Sequence, residues 1–470
     1  MNIKILPNIL IFLFAFNTTK AGITLPSLIG DNMVLQQNQK IAIWGWTSEN
    51  DEIIKVCGSW NNDTVSIKSN LGKWKILPQT PEYGGPYTLC IKGHEMITIH
   101  NVMIGEVWLA SGQSNMAMTV DSINKNIRGV TNYKQKIAEA NFTSIRMFTV
   151  QHKLDSIPQE DCSGKWQVCN PDNVRKFSAT GYFFAKTLVD SLNIPVGIIH
   201  SSWGGSEVES WMKKELVTEN KRLYEGYKNL IGNKIASTPP GLKYNAMIYP
   251  LENYTIKGVV WYQGERNKPN ASVYTELMTQ LITSWRNSRG YEFPFYLVQI
   301  VPYTQRNVSS TYLRDAQRQI LFLSKTGMVV TSDFSELNNL HPPQKEEVGR
   351  RLALWALAKD YGKNIVCSGP LYKSMKIKDN TIEIEFDYAQ GGLMVKNGTL
   401  NNFEIAGKDH IYVPAVAKIK GSTVIAYSDN IKKPVAVRYA FSDNIQSHII
   451  NQSGLPASIF RTDTISKSIQ

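Results

Sequence analysis

The chain is poor in cysteine and histidine, with five and seven in 470 residues. It has no Cys-X-X-Cys pair and no histidine cluster beside a cysteine, so it offers no zinc site and no metal ligand set. After the first two dozen residues there is no apolar run long enough to span a bilayer, which argues against a membrane-spanning segment. Dense basic runs are missing too. The formal net charge of +12 comes from scattered Lys and Arg, so nucleic acid is not an expected partner. No fixed-period repeat or low-complexity tract is present. What remains is globular: 42% hydrophobic and 19% charged residues supply a sizeable core, and the length suits two or three domains.

The first residues stand apart. In 1–21, Lys4 gives a small positive start, Ile5 to Phe16 is a short apolar stretch, and Thr19 and Ala21 are small. This pattern reads as a secretory signal peptide and predicts a secreted or periplasmic protein. Export would permit disulfides. Cys162 and Cys169 are close enough to close a small loop, Cys57 and Cys90 share one region, and Cys367 is left over. The pairing is not fixed by sequence. Sequons occur at Asn62 and Asn397.

Residues 22–100 read as short alternating strands broken by Gly, Pro, Asn and Asp, an N-terminal β-domain. Over 101–362 the pattern changes. Apolar runs such as "GEVWLAS", "PVGIIHSS", "IKGVVWYQ", "FPFYLVQI" and "GMVVTSD" alternate with helical spacing near 180–193, 271–287, 311–324 and 344–360. Continuous apolar strands with helices between them predict an α/β fold with a parallel sheet covered on both faces. Residues 363–470 return to short strands, a sandwich-like C-terminal β-domain.

Ligands of an open parallel sheet bind beyond the carboxyl ends of its strands. Those ends carry Gly112-Gln113-Ser114-Asn115, then Trp203-Gly204-Gly205-Ser206, then Gln263-Gly264-Glu265-Arg266-Asn267, then a loop with His341. Ser, Asn and Gly are common turn residues, but their gathering at four strand ends points to a site. A serine hydroxyl needs a base to become a nucleophile, and His341 supplies one. Main-chain N–H groups at Ser114 and Gly205, with the Gln263 amide, are candidate donors for an oxyanion. The set predicts acyl transfer from an ester, with no cofactor.

Four blocks carry a resemblance. "LASGQSNM", "SSWGGSEVESW", "WYQGERN" and "LHPPQKEEVGRRLALWALA" together resemble the sialate O-acetylesterases of the SGNH hydrolase superfamily. "LPSLIGDNMVLQQNQKIAIWGW" is similar to that family's opening, and "GLPASIFRTD" to its C-terminal region. The resemblance implies a flavodoxin-like α/β/α domain flanked by N- and C-terminal β-domains. It implies removal of O-acetyl groups from sialic acid or another O-acetylated glycan, with Ser114 as nucleophile and His341 as base. Gly205 and Gln263 match the oxyanion elements. Asn115, Glu265 and Asn267 stand beside them, to contact substrate or to brace the turn and its loop.

Two departures from the family pattern stand out. An acid is expected just before the histidine, but Asn338 and Asn339 stand there. Glu336 or Asp333 could replace it, Asn339 could orient the ring, or a main-chain carbonyl could do so in a Ser-His dyad. The second departure is Arg266, where relatives carry a small residue. It could pair with Glu265 or meet an anionic substrate. Three rival readings stay open. One is an acetylxylan or pectin O-acetylesterase. Another is a glycosidase using two of Glu106, Glu207 and Glu265. The third is a glycan-binding relative that has lost activity.

Overall fold

The computed structural model describes residues 22–61, 63–122, 127–235, 238–304, 308–334, 336–396 and 400–463. The expected signal segment and the sequons at Asn62 and Asn397 lie outside the described residues.

Val196–Ser202 and Gly258–Tyr262 are buried at every position. Strands with no solvent face belong inside a sheet covered on both sides. Six runs pair in parallel, in the order Phe142–Thr149, Val196–Ser202, Met96–Gly112, Gly258–Tyr262, Phe295–Val298 and Thr326–Val329. Trp166–Cys169 adds an antiparallel edge.

Successive side chains of a strand point to opposite faces, and two cores follow from this. Trp108, Ala110, Ile198 and Val260 pack with Phe184 of the helix Ala179–Leu192 and Leu352 of Lys345–Lys359. Val107, Leu109, Ile199 and Val259 pack on the other side with Leu281 and Trp285 of Ala271–Arg289. Burying each such large side chain is worth about 1.5–3 kcal/mol. The helix expected over 311–324 is α-helical only over Thr311–Gln319. Its end tightens into a 3-10 turn at Ile320–Phe322, and Leu323 turns extended to lead into the strand Thr326–Val329.

Met96–Gly112 is a single strand of 17 residues that pairs with four others. Its first half pairs antiparallel with Gly84–Lys92 and parallel with Val34–Gln36. Its second half enters the central sheet between Val196–Ser202 and Gly258–Tyr262. Residues 100 and 101 both lie within it, so the sheet runs on across the boundary expected there.

The last part of the chain forms two four-stranded antiparallel sheets and a two-stranded one around Ile384, Ile405, Val437 and Phe460. It is tied to the middle region where Gln299 Nε2 donates to Ser458 Oγ at 3.0 Å. Asp443 accepts from the main-chain N–H of Ser310, also at 3.0 Å.

All five cysteines are free thiols, contrary to the disulfides that export would allow. Cys57 and Cys90 face each other across two strands but are not bonded. Burial pushes the Cys162 and Cys169 thiols up to about 12. Among the described residues no helix is long and apolar enough to cross a membrane.

Candidate active site

Gly112, Ser202 and Tyr262 end three neighbouring strands in register. Beyond them the chain turns sharply. Gly112 sits at φ +138, and a Cβ there would lie 2.2 Å from Tyr262 O. Only glycine lets the strand end this close to its neighbour. The turn delivers Ser114, partly exposed, to the sheet's carboxyl edge.

His341 arrives from the other side. Its loop follows Thr326–Val329, three strands away from Met96–Gly112. Strands are about 4.8 Å apart, so the loop must cross about 14 Å of sheet edge, and its length allows that. His341 Nε2 lies 2.9 Å from Ser114 Oγ. This is hydrogen-bond distance for a base and a nucleophile.

The Trp203–Ser206 turn covers the serine. A Cβ on Gly204 would sit 3.6 Å from Ser114 Cβ. Gly205 is left-handed at φ +70, a conformation that glycine adopts freely. The main-chain N–H groups of Ser114 and Gly205 donate to no main-chain or side-chain acceptor among the described residues. Both remain free to bind an oxygen that becomes charged.

The other expected site residues are placed differently. Gln263 is fully buried, and its amide protons go to Ser206 O at 3.1 Å and Asn267 Oδ1 at 2.7 Å. With Tyr274 OH donating to its oxygen at 2.9 Å, Gln263 braces the turn and has no proton left for an oxyanion. Asn267 is also fully buried. Its Nδ2 donates to Glu209 Oε2 at 2.8 Å, and its Oδ1 accepts from the Val208 N–H at 2.9 Å. It holds the covering turn instead of reaching substrate.

Asn115 is fully buried as well. Its Nδ2 donates to Glu265 Oε1 at 2.6 Å and to Leu340 O at 3.1 Å, and its Oδ1 accepts from Lys345 Nζ at 2.7 Å. Asn115 and Glu265 therefore brace the site from beneath. Burial raises the Glu265 carboxyl and lowers the Lys345 ammonium to about 7, with Glu265 pulling the latter back up. Lys345 was not foreseen. Its only sequence signal is its place four residues after His341.

Arg266 forms no ion pair with Glu265, and its shielded Nε has no partner among the described residues. Lys243, almost fully buried, feels its charge. Lys243 Nζ donates to Thr238 Oγ1 at 2.5 Å and lies 5.4 Å from the Trp203 ring centre. Burial holds it down to about 8. Lys243 thus lies against the turn that covers Ser114, within electrostatic reach of Arg266.

Among the candidate acids, Asp333 is taken by Arg351 in a two-pronged pair, both bonds at 2.8 Å. Glu336 is exposed and accepts from Asn339 Nδ2 at 3.3 Å. Asn339 Oδ1 accepts the main-chain N–H of His341 at 2.9 Å. The amide thus grips the histidine's backbone, and the carboxylate grips the amide. Of the glycosidase candidates, Glu106 lies six residues before Gly112 on the same strand, bound by Gln36, Gln37 and Tyr361. Six extended residues span about 20 Å, too far for a carboxylate pair with Glu265.

Comparison with known proteins gives a consistent picture. Residues 104–358 match the family described as carbohydrate esterase, sialic acid-specific acetylesterase. The sialate O-acetylesterase of Mus musculus is 28% identical, over 90% of each chain. That of Pongo abelii is 30% identical, over 78% of this chain and 77% of its own. A crystal structure of a carbohydrate acetylesterase from Xanthomonas citri superposes with a TM-score of 0.85 at 36% identity, over 94% of this chain and 100% of that one.

Proposed function

The chain belongs to the sialic acid-specific acetylesterase family of carbohydrate esterases, and from that premise we propose that it removes O-acetyl groups from sialic acid through Ser114 and His341. The observation that carries the reading is the 2.9 Å contact between His341 Nε2 and Ser114 Oγ at the edge of a parallel sheet. Leaving aside its two outer strands on one side, the sheet order Val196–Ser202, Met96–Gly112, Gly258–Tyr262, Phe295–Val298, Thr326–Val329 is 2-1-3-4-5. This supports the flavodoxin-like SGNH arrangement, in which the switch point adjoins the first strand.

The chemistry follows from the placement. His341 Nε2 takes the Ser114 proton as Oγ attacks the acetyl carbonyl carbon. The charge that forms on the carbonyl oxygen is met by the main-chain N–H groups of Ser114 and Gly205. The tetrahedral intermediate collapses, and His341 returns the proton to the departing sugar oxygen. Water, deprotonated by His341, then attacks the acetyl-serine, and acetate leaves as His341 gives that proton back to Ser114 Oγ. Glu336 and Asn339 support His341 through its backbone. Arg266 supplies a cation for the carboxylate of sialic acid, because no ion pair with Glu265 neutralises it. The N-terminal apolar stretch supports export, and the substrate is then an extracellular or periplasmic glycan.

The test is acetate release from 9-O-acetyl-N-acetylneuraminic acid, acetylated xylo-oligosaccharide and acetylated pectin, with wild type and Ser114→Ala. Ser114-dependent release from the sialic acid supports the reading. Release from the plant glycans alone overturns the substrate, and none from any of them overturns the activity.

A further inference from the structure

A second groove lies away from Ser114. It encloses about 600 Å³ between the N-terminal strands Ile43–Thr47 and Lys73–Ile76 and the turn Tyr249–Leu251 of the middle region. This volume is in the range of ligand sites. Trp46 is half-buried and Tyr249 is 38% exposed, so both present aromatic surface to the groove.

The polar groups around these rings are held in place. Trp46 Nε1 donates to Glu160 Oε2 at 3.0 Å, and Lys73 binds the other oxygen of Glu160. Lys75 Nζ donates to Asn253 Oδ1 at 2.7 Å across the groove. Fixing the Trp46 N–H fixes the plane of its ring. The groove's charged residues are Lys73, Lys75, Glu160 and Glu252, so their charges cancel. A groove with aromatic surface, fixed polar groups and no net charge suits a neutral ligand that has both an apolar face and hydroxyl edges. Sugar rings have that form.

A smaller hollow adjoins the groove along the chain. Glu160 lies on the groove's wall, and the next residues, Asp161 to Ser163, line this hollow of about 260 Å³, which includes His152. The His152 ring stacks on Trp203, with centroids 4.1 Å apart and planes 8° apart. Trp203 is followed by Gly204, which packs on the serine.

We propose that this groove binds neutral sugar units of a glycan chain, holding the part of the substrate distant from the acetyl group. That the chain's acetylated end reaches Ser114 rests on the esterase reading; binding of an unacetylated chain does not.

The experiment uses the full chain and two neutral, unacetylated tetrasaccharides, lacto-N-tetraose and xylotetraose, which separate animal-type from plant-type glycans. Binding is followed by tryptophan fluorescence and calorimetry in wild type, Trp46→Ala and Tyr249→Ala, with melting temperature as the folding control. Saturable binding of either sugar, weakened about tenfold or more in at least one variant that melts as wild type does, is expected. The proposal is overturned if neither sugar binds at millimolar concentration, or if both variants bind as wild type does. Acetate release, measured separately on wild type, tells whether the esterase reading itself has failed.

Discussion

Asn115 Nδ2 donates to Leu340 O at 3.1 Å, so the residue after the candidate nucleophile holds the residue before the candidate base. The same side chain accepts from Lys345 at 2.7 Å and donates to Glu265 at 2.6 Å. Three loops that meet only in the folded chain are thereby pinned at one buried amide. That pin lies directly beside the 2.9 Å contact between His341 and Ser114, and Thr304 on Leu337 O and Thr131 on Pro343 O hold the rest of the histidine loop.

Lys345→Met removes the donor to Asn115 Oδ1 and the cation that most lowers the Glu265 carboxyl. Losing a buried, charge-assisted hydrogen bond costs about 1.5–3 kcal/mol. The variant is expected to melt earlier and to lose about tenfold or more in kcat with sialate ester. Calorimetry and initial rates measure both, and wild-type values for both would contradict the pin.

Arg266→Gln is expected to raise KM for 9-O-acetyl sialic acid about tenfold or more, since a hydrogen bond to a charged group is worth about 1.5–3 kcal/mol. KM for a neutral acetyl ester should change far less. Equal shifts for both esters would remove Arg266 from carboxylate recognition.

Glu209 gives a pH dependence. Burial raises its carboxyl from 4.5 to about 7, against the pull of Asn267 and Asn270, which donate to it. Between those values the folded chain holds a proton that the unfolded chain has lost, so this group's stabilising contribution falls as pH rises through that window. The contribution is on the order of 3 kcal/mol over the full window. Glu209→Gln stays neutral throughout and should flatten the fall. Melting temperatures from pH 5 to pH 8 test this, and parallel curves for the two proteins would refute it.

Asn339→Asp keeps the acceptor for the His341 main-chain N–H but loses the proton given to Glu336. Activity is expected to stay within a few-fold of wild type, because the side chain grips backbone and not the ring. A sharp rise would mean that a carboxylate at 339 reaches the imidazole.

The frame of the fold was legible in the sequence because buried parallel strands are continuous apolar runs. "VGIIHSS" and "GVVWY" are such runs, short, rich in β-branched or aromatic residues and followed by glycine turns. Ser114 and His341 were legible because strand ends in such a sheet share one edge. The limit was reached at the neighbouring polar residues. Asn115, Gln263, Glu265 and Asn267 all follow strand ends, where a side chain can either meet substrate or brace a loop, and the structure turns them inward to satisfy one another and the loop backbones. Sequence position gives the edge on which a side chain stands, not whether it faces the cleft or the next loop. Lys345 was hidden for the related reason that a lysine opening a helix is ordinarily a solvated charge. The cysteines mislead differently, since cross-strand neighbours such as Cys57 and Cys90 need not bond.

The most direct measurement is reaction with a fluorophosphonate, followed by mass mapping of the labelled peptide in wild type and His341→Ala. The account predicts a single adduct on Ser114 in wild type and its loss in His341→Ala, because only the histidine makes that hydroxyl nucleophilic. An unlabelled wild type, or undiminished labelling without His341, would contradict it.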